Sequence, residues 1–356
     1  MDLVRTSYRP EDVTILLKDV TGLVEPQSTE EREKLIQSGR HYCEMLPIEY
    51  RPSEKYLELF EYALKEFSSV TADAVGRMSE RIYSACKAPV LVSLARAGIP
   101  AGIMSKHYLG KKYGIEVPHY SISIIRGRGI DKNALDYILS EHPAENIRFV
   151  DGWTGKGAIN RQLYAALSEE KYKAIDPTLA VIADPAHLTR LCGTHDDFLI
   201  ASSCLNSTVS GLVSRTFLRD DIIGKSDYHG AVYYGELIKE DLSYRFIEET
   251  ERHFDMSLSC GEDTESICAL DDINPDVLNV GRDFGIDDIN LIKPGIGEAT
   301  RVLLRRIPYR ILIAEECEEK YISHILQLAG EKNVAVEKYP LKNYRCCGII
   351  KQMSDV

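Results

Sequence analysis

Residues 147–159 read Ile-Arg-Phe-Val-Asp-Gly-Trp-Thr-Gly-Lys-Gly-Ala-Ile, an order that suits a strand, a phosphate loop and a helix start. The apolar run ends in Asp151; Thr154, Gly155, Lys156 and Gly157 follow, and a helix-compatible stretch covers Ala158 to Leu167. Glycines let the backbone approach an anion, which successive N–H groups and the helix dipole then hold. Asp151, at the carboxyl end of the strand, is placed to touch the sugar or metal that accompanies a phosphate. The GxxxxGK[ST] spacing of a P-loop is absent. An earlier turn has the same character. Residues 90–103, Val-Leu-Val-Ser-Leu-Ala-Arg-Ala-Gly-Ile-Pro-Ala-Gly-Ile, carry a buried-strand pattern into Arg96-Ala97-Gly98, with Pro100 where a first helical turn tolerates it. Arg96 adds a planar fork for oxyanions. Two such turns on one sheet suggest a ligand with two separated phosphates.

A different chemistry is open between residues 184 and 216. Asp184, His187, Cys192, His195, Asp196 and Asp197 precede Ser202-Ser203-Cys204-Leu205-Asn206-Ser207-Thr208. Cys204 would be a nucleophile activated by His195, with Asp196 or Asp184 orienting the imidazole. A helix N-terminus beside it would lower the thiol pKa. Against this stands the frequency with which buried cysteines serve only as small hydrophobes.

The order of the two Gly-containing turns resembles type I phosphoribosyltransferases over roughly residues 85–220. In that family an earlier loop holds pyrophosphate, and a later loop holds the 5′-phosphate of phosphoribosyl pyrophosphate (PRPP). The resemblance implies that Ser93, Arg96, Ala97 and Gly98 hold pyrophosphate, and that Thr154, Gly155, Lys156, Gly157 and Ala158 hold the 5′-phosphate. Asp151 would take the ribose hydroxyls and the Mg²⁺ that arrives with PRPP; no tightly bound group is expected. Most relatives carry two adjacent acids at this point, and here the second is Gly152. Arg126 and Arg128, in the basic stretch 126–132, match a mobile loop that closes over PRPP, and would neutralise leaving-group charge as catalytic residues. A solvated basic turn is the plainer reading of the same stretch. Arg215 would bind a phosphate or carboxylate, and Asp227-Tyr228-His229-Gly230 would lie in an accessory hood over the acceptor.

The elements that must position these residues alternate. Residues 1–53 form an N-terminal extension with a strand expected at 13–17. Helical spacing covers 54–86 through Leu57, Leu59, Phe60, Ala63, Leu64 and Phe67. Strands at 90–94, 118–125, 147–151 and 178–183 with intervening helices predict a parallel sheet with crossover connections. The phosphoribosyltransferase-like domain is placed at 54–258, an acidic connector at 259–289 and a C-terminal domain at 290–356. The net charge of −12 argues against a general nucleic-acid binder, but it is unevenly spread: residues 241–290 carry −11 and residues 293–356 carry +3. Nine cysteines include no CxxC pair, which argues against a zinc ribbon or a thioredoxin motif. A leader and an apolar run of about 18 residues are both missing, so a cytoplasmic, reduced protein with no membrane contact is expected. The sequence leaves the oligomeric state open.

Residues 293–301, Lys-Pro-Gly-Ile-Gly-Glu-Ala-Thr-Arg, begin a helix whose exposed face is expected to carry Arg301 and Arg305. Strands near 309–314 and 333–337, a helix at 318–330 and a last strand after Tyr344 follow. This resembles the small α/β Pelota/L7Ae RNA-binding module, and implies RNA contacts by Gly295, Glu298, Arg301 and Arg305, with Gly297 where relatives place Asn. The whole chain, through Cys204 to Thr216, Asp227 to Ala231 and the C-terminal module, resembles a bacterial family of tellurite-resistance and stress-response gene clusters. Its members are described both as phosphoribosyltransferase-like and as the cysteine protease StiP. The expectation is therefore an α/β protein with a type I phosphoribosyltransferase-like parallel core, an accessory hood and a Pelota-like domain. It would bind PRPP and transfer or sense a phosphoribosyl group. The alternatives are a cysteine peptidase using Cys204, His195 and Asp196, and a non-catalytic nucleotide- or RNA-binding regulator.

Overall fold

Short apolar runs bounded by turns and amphipathic helices between them give a parallel sheet with crossovers, and the computed structural model shows one; it describes residues 2–351 apart from 262 and 271. The chain begins with β1 (Thr14–Ile15), β2 (Lys18–Asp19), α1 (Thr29–Gln37) and the long α2 (Glu54–Ala85). It continues through β3 (Val90–Leu94), α3 (Gly98–Tyr113), β4 (His119–Ile122), the hairpin β5 (Ile124–Ile125) and β6 (Gly129–Ile130), and α4 (Lys132–Glu141). Then come β7 (Ile147–Trp153), α5 (Ala158–Leu167), β8 (Leu179–Ala183), β9 (Cys192–Thr194), β10 (Gly230–Ala231) and α6 (Ser243–Glu251). The remainder comprises α7 (Pro275–Phe284), β11 (Ile292–Pro294), α8 (Ile296–Arg305), β12 (Pro308–Ala314), α9 (Glu319–Glu331), β13 (Ala335–Tyr339) and β14 (Cys346–Ile350).

The main sheet has the order β1-β4-β3-β7-β8-β9 with every pair parallel. After β3 the chain steps outward to β4, then returns to the other side of β3 with β7. The strand order therefore reverses between β3 and β7, the point at which open α/β sheets hold ligands. The expected strand at 13–17 is split: β1 joins the sheet edge, and the chain crosses at the buried Leu16 and Leu17 to pair β2 with β10. There Val20, Leu46, Leu212, Phe217 and Ile223 form a separate apolar cluster, in the part of the chain where the hood was expected.

The second sheet, β11-β14-β12-β13, is mixed, with only β12 and β13 parallel. The acidic connector expected at 259–289 contains a packed helix, α7. Asn274 caps α7, Pro275 opens it, and Val277 and Val280 pack on Ile292, Leu312, Cys347 and Ile349. Of the two acids of α7, Asp283 is exposed, whereas Asp276 is buried and accepts from Lys342 N and Asn343 N.

One apolar core spans both sheets, running from Leu59, Phe60 and Phe67 of α2 to Ile296, Leu303 and Ile325. The Tyr56 hydroxyl donates to Leu304 O (3.0 Å), the Tyr62 hydroxyl donates to Lys320 O (2.9 Å), and Phe67 stacks on Tyr321 at 5.8 Å. Asp197, 5% exposed, reaches across from the core and accepts from Ile296 N (2.9 Å) and Arg345 N (2.9 Å). It caps α8 from outside its own domain; burial pushes its pKa up to about 6, against those donors. Asp197→Ala leaves two buried N–H groups without their acceptor, and an expected loss of about 3 kcal/mol follows. Chemical denaturation would read this as a lower midpoint; an unchanged midpoint would deny Asp197 any role at the seam.

Candidate functional site

β3 and β7 run in register from Val90↔Ile147 to Ser93↔Val150, so their following loops leave the sheet at one level. Gly98 permits this approach: a Cβ there would stand 2.3 Å from Val150 O. Between the loops and the C-terminal domain lies a cavity of about 260 Å³, whose lining includes Ala97, Asp151, Gly155, Ala158, Glu298 and Arg301. Gly157 (φ 77°) precedes α5 and offers no side-chain cap, which leaves the first N–H groups of the helix open to the loop side.

Several residues expected to grip phosphate have other partners. The Thr154 hydroxyl donates to Asp184. Lys156 Nζ donates to the carbonyls of Ile289 and Ile292, the latter at 2.9 Å, and burial lowers its pKa to about 8. It ties the loop to the start of the C-terminal domain. The Ser93 hydroxyl lies 2.8 Å from Gly98 O and 2.7 Å from His119 Nε2, bracing the first turn. Arg96 donates to Val213 O (3.0 Å) and Asn206 Oδ1 (3.3 Å). The expected mobile basic loop is the β5–β6 hairpin, where Arg126 donates to Asn290 (3.2 Å) and Arg128 pairs with Glu44 at 2.9 Å. The Arg215 guanidinium sits 5.4 Å from the Tyr42 ring centroid, and burial lowers its pKa to about 10. His229 bonds Ser123 (2.8 Å) through its ring, a satisfied packing histidine in the hood.

Among the described residues Asp151 accepts one side-chain hydrogen bond, from its neighbour Gly152 N–H at 2.7 Å. Burial raises its pKa from 3.8 to about 7. A carboxyl whose folded pKa lies above its unfolded value binds more protons when folded, so stability falls as pH rises between about 4 and 7. Asp151→Asn is expected to flatten that fall and to stabilise the protein at pH 8 by at least about 1 kcal/mol. Melting curves across this range test it, and parallel wild-type and variant curves would count against it.

The imidazole at residue 195 keeps different company from that expected. His195 Nδ1 lies 2.8 Å from Asp184 O, and Nε2 lies 2.9 Å from Asp263 Oδ2 and 3.5 Å from Cys192 Sγ. Its ring stacks on His187 with centroids 4.1 Å apart. Arg81 Nη1 bonds Asp263 (2.9 Å) and lies 3.4 Å from Cys192 Sγ. Cys192 is fully buried; desolvation, then the Asp184 charge, holds its thiol well above the ordinary range. His195 opens on a cleft of about 710 Å³ between the domains, whose walls include His187, Asp196, Glu265 and Arg345.

Cys204 lies elsewhere. It is fully buried, desolvation pushes its pKa up to about 12, and its carbonyl accepts from Arg305 Nη2 at 3.0 Å. Both His195 nitrogens are engaged by Asp184, Asp263 and Cys192, and the thiol beside the ring is Cys192, not the expected Cys204. Asp196 faces Arg345 at 3.4 Å and does not orient the ring. Two sets place potential metal-ligand atoms within 4.8 Å of one another: Asp184, Cys192 and His195, and His187, His195 and Glu265. The Asp184 carboxylate already accepts from Leu188 N (2.7 Å) and Thr189 N (2.8 Å), so hydrogen bonds account for it.

The residues matched to RNA contacts face inward. Arg301 pairs with Glu298 (3.2 Å), donates to Ser203 O (3.2 Å) and covers the Trp153 ring at 4.8 Å. Arg305 donates to Asn206 Oδ1 at 2.7 Å. Gly295, at φ 94°, donates to Cys346 O (2.7 Å) and starts α8. The expected exposed face is thus the face that docks on the core.

Sequence reasoning missed Cys192 and Asp263 as partners of His195. The Cys-x-x-His spacing of 192–195 was a usable signal, whereas Asp263 sits 68 residues away in a polar segment without one.

Comparisons bear on both domains. Residues 6–251 match the family described as tellurite-like stress resistance cysteine protease StiP, and residues 274–352 match the PELOTA RNA binding domain. A protein of Acinetobacter baylyi named "Cysteine protease StiP" is 35% identical over 364 residues, covering 98% of this chain and 94% of that protein. No solved structure matches the chain. No helix among the described residues is long and apolar enough to cross a membrane.

Proposed function

The chain belongs to the StiP family, and we propose that it is a cysteine peptidase whose nucleophile is Cys192. The observation that carries this reading is the Cys192 Sγ–His195 Nε2 approach of 3.5 Å beside the 710 Å³ cleft. His195 would take the Sγ proton, and the thiolate would attack a peptide carbonyl. The acyl-enzyme forms as the amine leaves with the proton from His195, and water releases the acid. The Asp184 carbonyl orients the ring through Nδ1, as the third group of a triad does. In the described arrangement Asp263 and Arg81 seal the thiol. Substrate entering the cleft would displace the segment around Asp263 and leave Nε2 facing Cys192 alone. Labelling the full chain with a peptidyl electrophile, followed by peptide mass mapping, tests this. Modification at Cys192 is expected; modification at Cys204 would move the nucleophile there.

A second reading is favoured by the paired loops at the β3/β7 switch point: the core holds a phosphorylated ligand such as PRPP. Asp151 and Glu298 line that cavity and fit a hydrated Mg²⁺ completed by ligand oxygens, which would neutralise phosphate charge. Calorimetry with PRPP and Mg²⁺ tests it, and no heat at millimolar ligand would sink it. An RNA contact through the C-terminal domain is part of the same reading.

A further inference from the structure

Two features read separately in the sequence, a phosphate loop and an RNA-binding face, meet across the domain seam. The 260 Å³ cavity has the Asp151–Ala158 loop on one side and Glu298 and Arg301 of α8 on the other. It is close to the smallest ligand pockets, roughly 300 Å³, and so takes one terminal unit rather than a length of strand.

Beside it three guanidinium groups converge from three segments. Arg96 follows β3, Arg215 belongs to the hood side, and Arg305 comes from α8. Arg96 Nη2 and Arg305 Nη1 donate to the same acceptor, Asn206 Oδ1, at 3.3 and 2.7 Å. Among the described residues no carboxylate lies within ion-pair distance of any of the three; Arg96 and Arg305 donate to Asn206 and to the carbonyls of Val213 and Cys204. Nε and Nη2 of Arg215 and Nε of Arg305 are buried without a hydrogen-bond partner. Like charges gathered out of water with donors unmatched are costly. Phosphate oxygens are the acceptors that planar guanidinium forks fit best.

We propose that the loop cavity and this arginine cluster form one interdomain site that binds the 5′-phosphorylated end of an RNA strand. The terminal phosphate lies at the Gly155–Ala158 turn under Arg301. The following phosphates run along Arg96, Arg305 and Arg215. The strand fits better than a free nucleotide because the cation cluster extends past a cavity sized for one unit. The docked α8 is then a wall of the site rather than a separate RNA surface. This rests on the reading that the β3/β7 loops take phosphate.

Trp153 is the only tryptophan of the chain and lies in the cavity wall beneath Arg301, so its emission reports occupancy. The wild-type full chain would be titrated with a short RNA carrying a 5′-phosphate, the same RNA with a 5′-hydroxyl, AMP, and PRPP with Mg²⁺. The phosphorylated RNA should change Trp153 emission and bind roughly tenfold or more tighter than the hydroxyl form and AMP. Arg305→Gln and Arg215→Gln should each reduce the slope of log affinity against log salt by about 0.7, and Arg305→Lys should largely restore it. Equal binding of both RNAs without a change in Trp153 emission would place RNA elsewhere and overturn the proposal. AMP binding as tightly as phosphorylated RNA would make the ligand a free nucleotide and also overturn it. Binding of PRPP but of neither RNA would overturn the RNA site and leave the phosphate reading intact; no binding of any of the four would remove both. The wild-type comparison needs no substitution, so a variant that misfolds cannot obscure the result.

Discussion

Cys192→Ala should reduce hydrolysis of a denatured protein substrate by about 10⁴-fold or more, while Cys204→Ala leaves it within about twofold. The contrast follows from position. Cys192 Sγ lies 3.5 Å from His195 Nε2, and that imidazole borders the interdomain cleft. Cys204 is wrapped in core, and its local role is a backbone carbonyl for Arg305. His195→Ala should match Cys192→Ala, because it removes the imidazole that serves as general base. Asp263→Ala should act in the other direction on reactivity. Removing the carboxylate that contacts both Sγ (3.4 Å) and Nε2 (2.9 Å) opens the seal, and electrophile labelling of Cys192 should speed up. Cys192→Ser, close in shape, separates lost chemistry from lost packing. Full activity in Cys192→Ala together with loss in Cys204→Ala would reverse the assignment.

Gly98→Ala is expected to be the most damaging single methyl group near the β3 and β7 loops. The added Cβ would meet Val150 O at 2.3 Å and the Asp151 Cα at 3.1 Å, and neither is a flexible side-chain tip. Relief requires β7 and the first turn of α3 to separate, which disturbs the β3–β7 pairing itself. A loss of at least about 3 kcal/mol is expected, beyond ordinary overpacking because backbone must move. The same change should abolish ligand-induced changes in Trp153 emission. Gly155→Ala is the control, because a Cβ there meets nothing within 4 Å. Equal midpoints for the two variants would contradict the packing argument.

Much of the core was legible because its signals are local. Val90–Leu94 and Leu179–Ala183 are buried throughout and read as continuous apolar runs; α5 begins at Ala158, directly after the left-handed Gly157. Where a run served two sheets, as between β1 and β2, its length gave no hint of the crossing. α7 was hidden by composition, although Asn274, Pro275, Val277 and Val280 carry a cap and a helical period. The site was legible in its residue types and illegible in its pairings. Thr154, Lys156 and Arg301 stand out by residue type, but docking of the C-terminal domain decides what the polar atoms of Lys156 and Arg301 meet. No periodicity encodes that. Nor does any local pattern bring Asp263 to His195, since the connecting loop runs through segments chosen for other contacts.

The long helix α2 has a further consequence during synthesis. Its apolar face is completed late, by Tyr321 on Phe67 and by Leu304 and Lys320 beneath the Tyr56 and Tyr62 hydroxyls. These partners are translated some 250 residues after α2, which at about 5–20 residues per second is a wait of roughly 10–50 s. Throughout that interval the nascent core presents an uncovered aromatic strip. A ribosome stalled before residue 296, or a protease that clips the chain near 270, would release a core with that strip still bare. The molecule is therefore one unit for quality control, with its aggregation risk set by whether the last quarter of the chain arrives.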